Sequence, residues 1–335
     1  MKLIFAGTPA NAARTLQALI GSNHQVVAVL TRPDAPIGRK RVLTPSPVAQ
    51  VAAEHGIPTF KANKVDPQLA QELGSLGAQL GVIVAYGALL KDFALKALPL
   101  GWVNLHYSLL PDWRGAAPVQ NSILAGDTQT GVTLFQLDEG MDTGPIFDVV
   151  KTEIQPGETS GRLLERLTEL GITLLNQVLP ALDAGIARAT TQPQDLPARP
   201  ANKLDRSQAK IDWFQPATQI ERQVLGMNPE PMAFSNLGTE SFRILDAASL
   251  GKTDWSALDS ESADTHQPGR LRFEAKRVLV ECGGGTLLQL KTVQPAGKNA
   301  MPAIDWARGA NGKVTHFNLD DTEPTTDSIT ESQEA

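Results

Sequence analysis

Residues 101–120 read GWVNLHYSLLPDWRGAAPVQ, in which an apolar run passes directly into a loop rich in proline and glycine and then into a helical pattern. The run predicts a strand at Trp102–Leu105. Since residues i and i+2 of a strand project to the same face, the side chains of Asn104 and His106 are expected to share one space. An amide beside an imidazole can bind a carbonyl oxygen and move a proton next to it.

The alternation of strand and helix patterns continues through the first half of the chain. Further strands are predicted at Leu3–Ala6, Gln25–Leu30, Leu80–Ala85, Val132–Gln136 and Ile146–Thr152. Helices are predicted at Ala10–Ile20, Ser46–His55, Pro67–Leu73, Leu89–Leu98, Pro118–Ala125 and Glu158–Ala184, the last with Pro180 as a candidate break. Such alternation predicts an α/β domain, a mostly parallel Rossmann-like sheet with helices on both faces.

A third polar residue belongs to the same predicted site. Ligands of open parallel sheets lie beyond the carboxyl ends of the strands. Asn104, His106 and Asp142, the last in DEGMDTG (138–144), all lie at or just after predicted strand ends and form a candidate catalytic trio. Each also has a structural interpretation, since strand-end amides and imidazoles often satisfy loop backbone and Asp beside Gly is common in turns.

The second half has a different composition. Residues 188–203 are rich in Pro, Thr and Gln and predict a linker between a domain at 1–187 and one at 204–317. The second domain combines a helix at Ala217–Leu225 with β-patterned runs at Phe242–Asp246, Arg270–Phe273, Val278–Cys282 and Thr286–Thr292. One helix with several short strands predicts a small OB-like β-barrel. The polar stretch Ser249–Pro268 predicts a surface loop.

Charge is distributed unevenly along the chain. The net charge is −6, and residues 318–335 hold six acidic side chains and no basic one, so a disordered acidic tail is predicted. Residues 1–317 carry 30 basic and 30 acidic side chains. Bulk charge therefore gives no indication of a nucleic-acid partner. A basic loop at Arg39–Arg41 usually means a solvated face, unless it lies over a site where it could meet phosphate.

Several classes of protein are excluded or disfavoured. No apolar run is long enough to span a membrane, and MKLIFAGTP is too short for a secretory signal. The single Cys282 excludes an intramolecular disulfide, fits a reducing cytosol and predicts a packed thiol. The five histidines lack metal-ligand spacing, so no metal is expected. The turn at Gly7 lacks the further glycines of a dinucleotide fingerprint.

Ten segments resemble the methionyl-tRNA formyltransferase family, whose members use 10-formyltetrahydrofolate. They are IFAGTP (4–9), PDAPIGR (33–39), TPSPV (44–48), VAYG (84–87), NLHYSLLPDWRGAAPVQ (104–120), AGDTQTGVT (125–133), GMDTG (140–144), KLDRSQAKIDW (203–213), NPEPMAF (228–234) and QPAGKNAM (294–301). The N-x-H pair followed by SLLP-x-x-RGAAP is specific to formyl-folate enzymes. The later segments are typical of the tRNA-directed family.

The resemblance implies roles for individual residues. Asn104, His106 and Asp142 correspond to the catalytic trio, with Asp142 orienting His106. Folate contacts are implied for Ser108, Leu109, Leu110, Pro111, Tyr86 and Gly87. Arg39 corresponds to a key arginine of a loop that contacts the acceptor end of tRNA, and the C-terminal domain corresponds to a tRNA-holding barrel. Two features depart from the family: Tyr107 stands where a smaller residue is expected, and the acidic tail has no counterpart.

The implied reaction moves the formyl group of 10-formyltetrahydrofolate to the α-amine of methionyl initiator tRNA, in translation initiation. A cytoplasmic monomer that binds no membrane is expected. The alternatives are a formyltransferase acting on a small amine, such as an amino-sugar nucleotide or glycinamide ribonucleotide, and a formyl-folate hydrolase. A non-enzymatic RNA-binding module is a further alternative, which the intact trio disfavours.

Overall fold

A computed structural model describes residues 1–38, 40–193, 198–251, 266–274, 276–310 and 314–319. The chain separates into two compact units, Met1–Leu204 and Asp205–Ala335. The predicted surface loop at 249–268 falls largely, and the predicted acidic tail almost wholly, outside the described residues.

The first unit contains eleven strands and six helices within the described ranges. The strands are β1 (Lys2–Gly7), β2 (Gln25–Thr31), β3 (Ala35–Ile37), β4 (Val42–Thr44), β5 (Thr59–Lys61), β6 (Leu80–Val84), β7 (Trp102–His106), β8 (Arg114–Gly115), β9 (Gln129–Gln136), β10 (Ile146–Glu153) and β11 (Pro200–Ala201). The helices are α1 (Ala10–Ile20), α2 (Pro47–Glu54), α3 (Pro67–Ser75), α4 (Asp92–Leu95), α5 (Pro118–Ala125) and α6 (Ser160–Asp183).

Seven of the strands form one sheet in the order β10-β9-β7-β6-β1-β2-β5. The five strands from β7 to β5 are parallel, β9 is antiparallel to β7, and β10 is antiparallel to β9. The central strand β6 is buried along its whole length, as expected for a strand covered on both faces. The predicted mostly parallel sheet is confirmed.

The strand β7 divides its side chains between two environments. Leu105 packs toward α6, where a Cβ built on Gly171 would lie 2.6 Å from the Leu105 side chain. Asn104 and His106 project to the opposite face, as the strand period requires. The helix α6 continues through Pro180 to Asp183 rather than breaking there.

Two short strand pairs were not predicted from the sequence. The strands β3 and β4 form a hairpin that leaves Ile37, Val42 and Leu43 exposed. The strand β11 lies within the predicted linker and pairs in parallel with β8. Residues 188–193 and 198–203 of the predicted linker are part of the first unit.

Within the described residues, the second unit is an antiparallel sheet with two helices. Its elements are α7 (Ala217–Gly226), β12 (Phe234–Leu237), β13 (Glu240–Ser249), β14 (Leu271–Phe273), β15 (Val278–Cys282), β16 (Thr286–Pro295), β17 (Met301–Pro302) and α8 (Ala303–Ala310). The order is β12-β13-β16-β15-β14, with β17 on β16. Irregularities of register in β13 accompany the curl of the sheet into a half-barrel, consistent with the predicted OB-like domain.

Two predictions about single features can be compared with the structure. In the described part of the chain, no helix is both long and apolar enough to cross a membrane. Cys282 is fully buried in β15, and burial raises the pKa of its thiol. The prediction of a packed cysteine is confirmed.

Candidate active site

A cavity of about 470 Å³ lies beside β6 and β7, and all three members of the predicted trio line it. Asn104 and His106 come from β7, and Asp142 comes from the loop at 137–145 between β9 and β10. Much of the remaining wall is apolar, including Tyr86, Leu89, Leu90, Leu95 and Leu137. A cavity of this size with a few convergent polar groups is typical of small-molecule sites.

The ring of His106 is held in one orientation by a backbone carbonyl. Its Nε2 lies 2.8 Å from the carbonyl oxygen of Trp113. Because a carbonyl can only accept, Nε2 carries the hydrogen, and Nδ1 of the neutral ring is an acceptor. The ring is buried, and it meets Phe135 edge to face at 6.3 Å between centroids.

Asp142 is held by a backbone amide rather than by the histidine. Its Oδ2 accepts a 2.8 Å hydrogen bond from the N–H of Gly115. The same oxygen lies 3.8 Å from Nδ1 of His106, which is beyond hydrogen-bond length but close enough to stabilise a protonated ring. The hydrogen bond that orients the ring therefore comes from Trp113, and orientation of His106 by Asp142 stays a prediction.

Asn104 contributes an uncommitted amide. Its side chain is partly exposed to the cavity, and none of the described residues forms a hydrogen bond with it. An amide in this state can donate to an oxygen of a bound molecule without first breaking a protein hydrogen bond. The site therefore combines a donor (Asn104), an acceptor nitrogen (His106) and a carboxylate (Asp142).

Asp142 does not follow a strand parallel to β7, as the sequence pattern predicts, because β9 is antiparallel to β7. The register places Gln136 beside Val103 and Thr133 beside His106, so β9 ends near the beginning of β7. The loop at 137–145 must then return along β7 to bring Asp142 to His106. The apolar run of β9 predicted a strand but not its antiparallel direction, because both directions bury the same side chains.

The residues predicted to contact folate fall into two groups. Tyr86 and Gly87 line the cavity just after β6, and the Tyr86 hydroxyl donates a 2.8 Å hydrogen bond to the Ala62 carbonyl. By contrast, Ser108, Leu109, Leu110 and Pro111 are not among the cavity-lining residues. Ser108 and Leu110 instead join the loop after β7 to β9 through hydrogen bonds with Thr133, of 2.7 and 3.3 Å.

Tyr107 is among the residues that line the cavity, but its hydroxyl points away from the trio. Its hydroxyl points toward Asn11, Thr15 and Thr168, on α1 and α6, and forms no hydrogen bond of good geometry. Burial raises the pKa of this hydroxyl, and the three polar neighbours oppose the rise. The large side chain is thus accommodated behind the strand.

Arg39 lies outside the described residues. On either side of it, Gly38 has φ +72° and Arg41 has φ +50°, at the tip of the β3–β4 hairpin. Lys40 and Arg41 are exposed, so the described part of the tip is basic.

Trp113 and Gly115 were not singled out from the sequence, although both lie in the quoted stretch. Gly115 has φ +125°, and a Cβ there would lie 2.7 Å from the Ala201 carbonyl. Only glycine fits both constraints while offering its N–H to Asp142. The RGAAP motif marks this loop, but backbone hydrogen bonds give no pattern by which the two roles could be predicted.

Among the described residues, no group of three His, Cys, Asp or Glu side chains could hold a metal ion.

Comparisons with known proteins agree with this geometry. Residues 1–179 match the formyl transferase family and residues 203–311 its C-terminal domain family. The chain is 47% identical to the methionyl-tRNA formyltransferase of Arthrobacter sp. (strain FB24), over 92% of this chain and 97% of that protein. It is 42% identical to that of Clavibacter sepedonicus, over 93% of this chain and 98% of the relative.

The fold is also similar to a solved structure at low sequence identity. The N-formyltransferase from Helicobacter canadensis, in complex with folinic acid and dTDP-3-aminofucose, aligns with a TM-score of 0.63 and 16% identity, over 88% of this chain and 99% of that one. Both domain matches and the identity to relatives along nearly their whole length lead to one conclusion. The chain belongs to the methionyl-tRNA formyltransferase family of formyl-transferring enzymes.

Proposed function

We propose that this protein transfers the formyl group of 10-formyltetrahydrofolate to the α-amine of methionyl initiator tRNA. The observation that carries the proposal is the convergence of Asn104, His106 and Asp142 on one largely apolar cavity. The similarity to methionyl-tRNA formyltransferases along both units supports the choice of acceptor.

The uncommitted amide of Asn104 is suited to the oxygen of the formyl group. When the amine attacks the formyl carbon, negative charge develops on that oxygen. A hydrogen bond from Asn104 to this oxygen stabilises the transition state more than the ground state, which is the condition for faster chemistry.

His106 and Asp142 are suited to the protons of the attacking amine. Nδ1 of the neutral ring accepts the proton that the amine loses as it attacks. The resulting imidazolium is stabilised by the carboxylate 3.8 Å away and can return the proton to the departing folate nitrogen. The Trp113 carbonyl keeps the ring in the tautomer that this exchange requires.

The cavity wall is suited to the folate. Tyr86, Gly87 and the neighbouring leucines supply apolar surface for a flat ring system beside the trio. Ser108–Pro111 contribute by fixing the loop behind His106, and a direct contact of these four residues with folate stays a prediction. No metal is needed for this chemistry.

Recognition of tRNA is assigned to Arg39 and to the second unit. Arg39 stands in a basic segment with Lys40 and Arg41, and a guanidinium is well suited to phosphate. The resemblance of residues 203–301 to the tRNA-directed family supports a tRNA-holding role for the second unit. We infer a cytoplasmic enzyme that acts as a monomer.

The test is formyl transfer measured with methionyl initiator tRNA, methionyl elongator tRNA and an amino-sugar nucleotide. Rapid formylation of the initiator tRNA, and slow or no reaction of the other two acceptors, is expected. Preferential formylation of the sugar nucleotide, or release of formate without an acceptor, would refute the proposal.

A further inference from the structure

We propose that Gln192 is a positioning residue that holds Asp142 in its catalytic place. Gln192 lies between α6 and β11, within the predicted linker, and does not line the cavity. The inference rests on the role given above to Asp142 and adds a residue that no motif of the sequence marks.

The side-chain amide of Gln192 joins two parts of the site. Its Oε1 accepts hydrogen bonds from Nε and Nη2 of Arg114, at 3.2 and 2.6 Å. Its Nε2 donates to the carbonyl oxygens of Asp142 and Gly144, at 2.9 and 2.8 Å. The residue is 3% exposed.

These four bonds use the full capacity of the amide, two hydrogens and two lone pairs. They also fix its orientation, because a guanidinium only donates and a carbonyl only accepts. A carboxylate of the same shape could still accept from Arg114 but could not donate to either carbonyl. Glutamine is therefore required at this position, rather than any long polar side chain.

The backbone of Asp142 needs such a support. Its φ is +56°, in the left-handed region that a residue with a Cβ adopts less readily than glycine does. The N–H of Gly115 holds the carboxylate of Asp142, while Gln192, bound to Arg114, holds its backbone. Both attachments lead to the two-residue strand β8, so together they fix the carboxylate relative to His106.

The main test compares Gln192→Ala and Gln192→Glu with the unaltered enzyme in formyl transfer. Displacement of a reacting group by about 1 Å costs on the order of 10² in rate. We expect kcat to fall by about 10- to 100-fold in both variants, with the KM for tRNA and folate changed less than threefold. Unchanged kcat, or a loss confined to KM, would overturn the proposal.

A double-variant experiment separates positioning from general stability. If Gln192 acts through Asp142, then Gln192→Ala should cause no further loss in an enzyme that already carries Asp142→Asn. Losses that multiply would show an independent role and refute the inference. Full activity of Asp142→Asn alone would instead contradict the proposed mechanism, so the two failures are distinguishable.

Gln136→Ala is the matched control. Gln136 also donates two side-chain hydrogen bonds to backbone carbonyls, of Leu100 and Trp102, but does not touch Asp142. Its loss should lower the melting temperature and leave kcat unchanged. Should both Gln192 variants fail to fold at a temperature where Gln136→Ala is folded, Gln192 supports the unit as a whole and the proposal is wrong.

Discussion

At the scale of single residues, Asn104 is the side chain whose chemistry is easiest to isolate. Its amide bonds to none of the described residues, so the isosteric change Asn104→Asp breaks no observed hydrogen bond. In the proposed mechanism, the change replaces a donor with a negative charge where negative charge develops in the reaction. We expect kcat to fall by about 10²–10³, as is typical for loss of one oxyanion donor.

The measurement is single-turnover formyl transfer, together with a melting curve to show that the variant is folded. Asn176→Asp, the same substitution at an exposed position of α6, is the control and should retain full activity. A rate within threefold of the unaltered enzyme would remove Asn104 from the mechanism.

The residues of the site differ in how far the sequence predicts them. Asn104 and His106 were predicted to share a face because the strand period alone determines it. The supports of the site were not predictable in this way. The Trp113 carbonyl and the Gly115 N–H act through backbone atoms, and Gln192 is an isolated amide in a stretch without periodicity.

At the scale of elements, the contact between β6 and β7 depends on a glycine. The Trp102 indole lies over Gly81, and a Cβ added there would be 2.0 Å from the ring. The indole is 1% exposed and its Nε1 donates to the Ala94 carbonyl, so it has little room to move. We expect Gly81→Ala to lower the free energy of unfolding by about 1–3 kcal/mol through overpacking.

Urea unfolding followed by circular dichroism would measure this effect. Gly309→Ala in α8 is the control, since a Cβ there meets no atom within 4 Å. The control should be unchanged or more stable by up to about 1 kcal/mol, because alanine favours a helix. Equal stability of Gly81→Ala and the unaltered protein would contradict the packing described here.

Elements were predicted well where they are long and buried. Helices α1 and α5 begin and end as predicted, and so does strand β15. The pairs β3–β4 and β8–β11 consist of strands of two or three residues, too short to show a period, and their formation depends on contacts distant in sequence. The helix α8 was also missed, since a run of eight residues after a proline gives a weak helical pattern.

At the scale of the whole molecule, the net charge of the protein does not favour binding of tRNA. Residues 1–317 are formally neutral, and the six acids that follow make the chain as a whole an anion. An anionic protein is not attracted to RNA by its net charge. Binding of tRNA must therefore use local clusters of cations, and the segment around Arg39 is the one that we propose.

Reliance on local clusters of cations predicts how the affinity for tRNA responds to salt. Each phosphate neutralised by a cation releases counterions, so log Kd for tRNA should rise linearly with log salt concentration. Loss of one phosphate contact in Arg39→Ala should reduce that slope by about 1 and weaken binding, with kcat at saturating tRNA little changed. Both the Kd and its salt slope can be measured by fluorescence titration of labelled initiator tRNA between about 50 and 300 mM KCl. Phosphate contacts weaken strongly over roughly this range. Lys151→Ala, which removes one exposed cation from β10, is the control and should keep the slope of the unaltered protein. An unaltered slope in Arg39→Ala would show that this arginine meets no phosphate, and the tRNA contact would then have to be sought on the second unit.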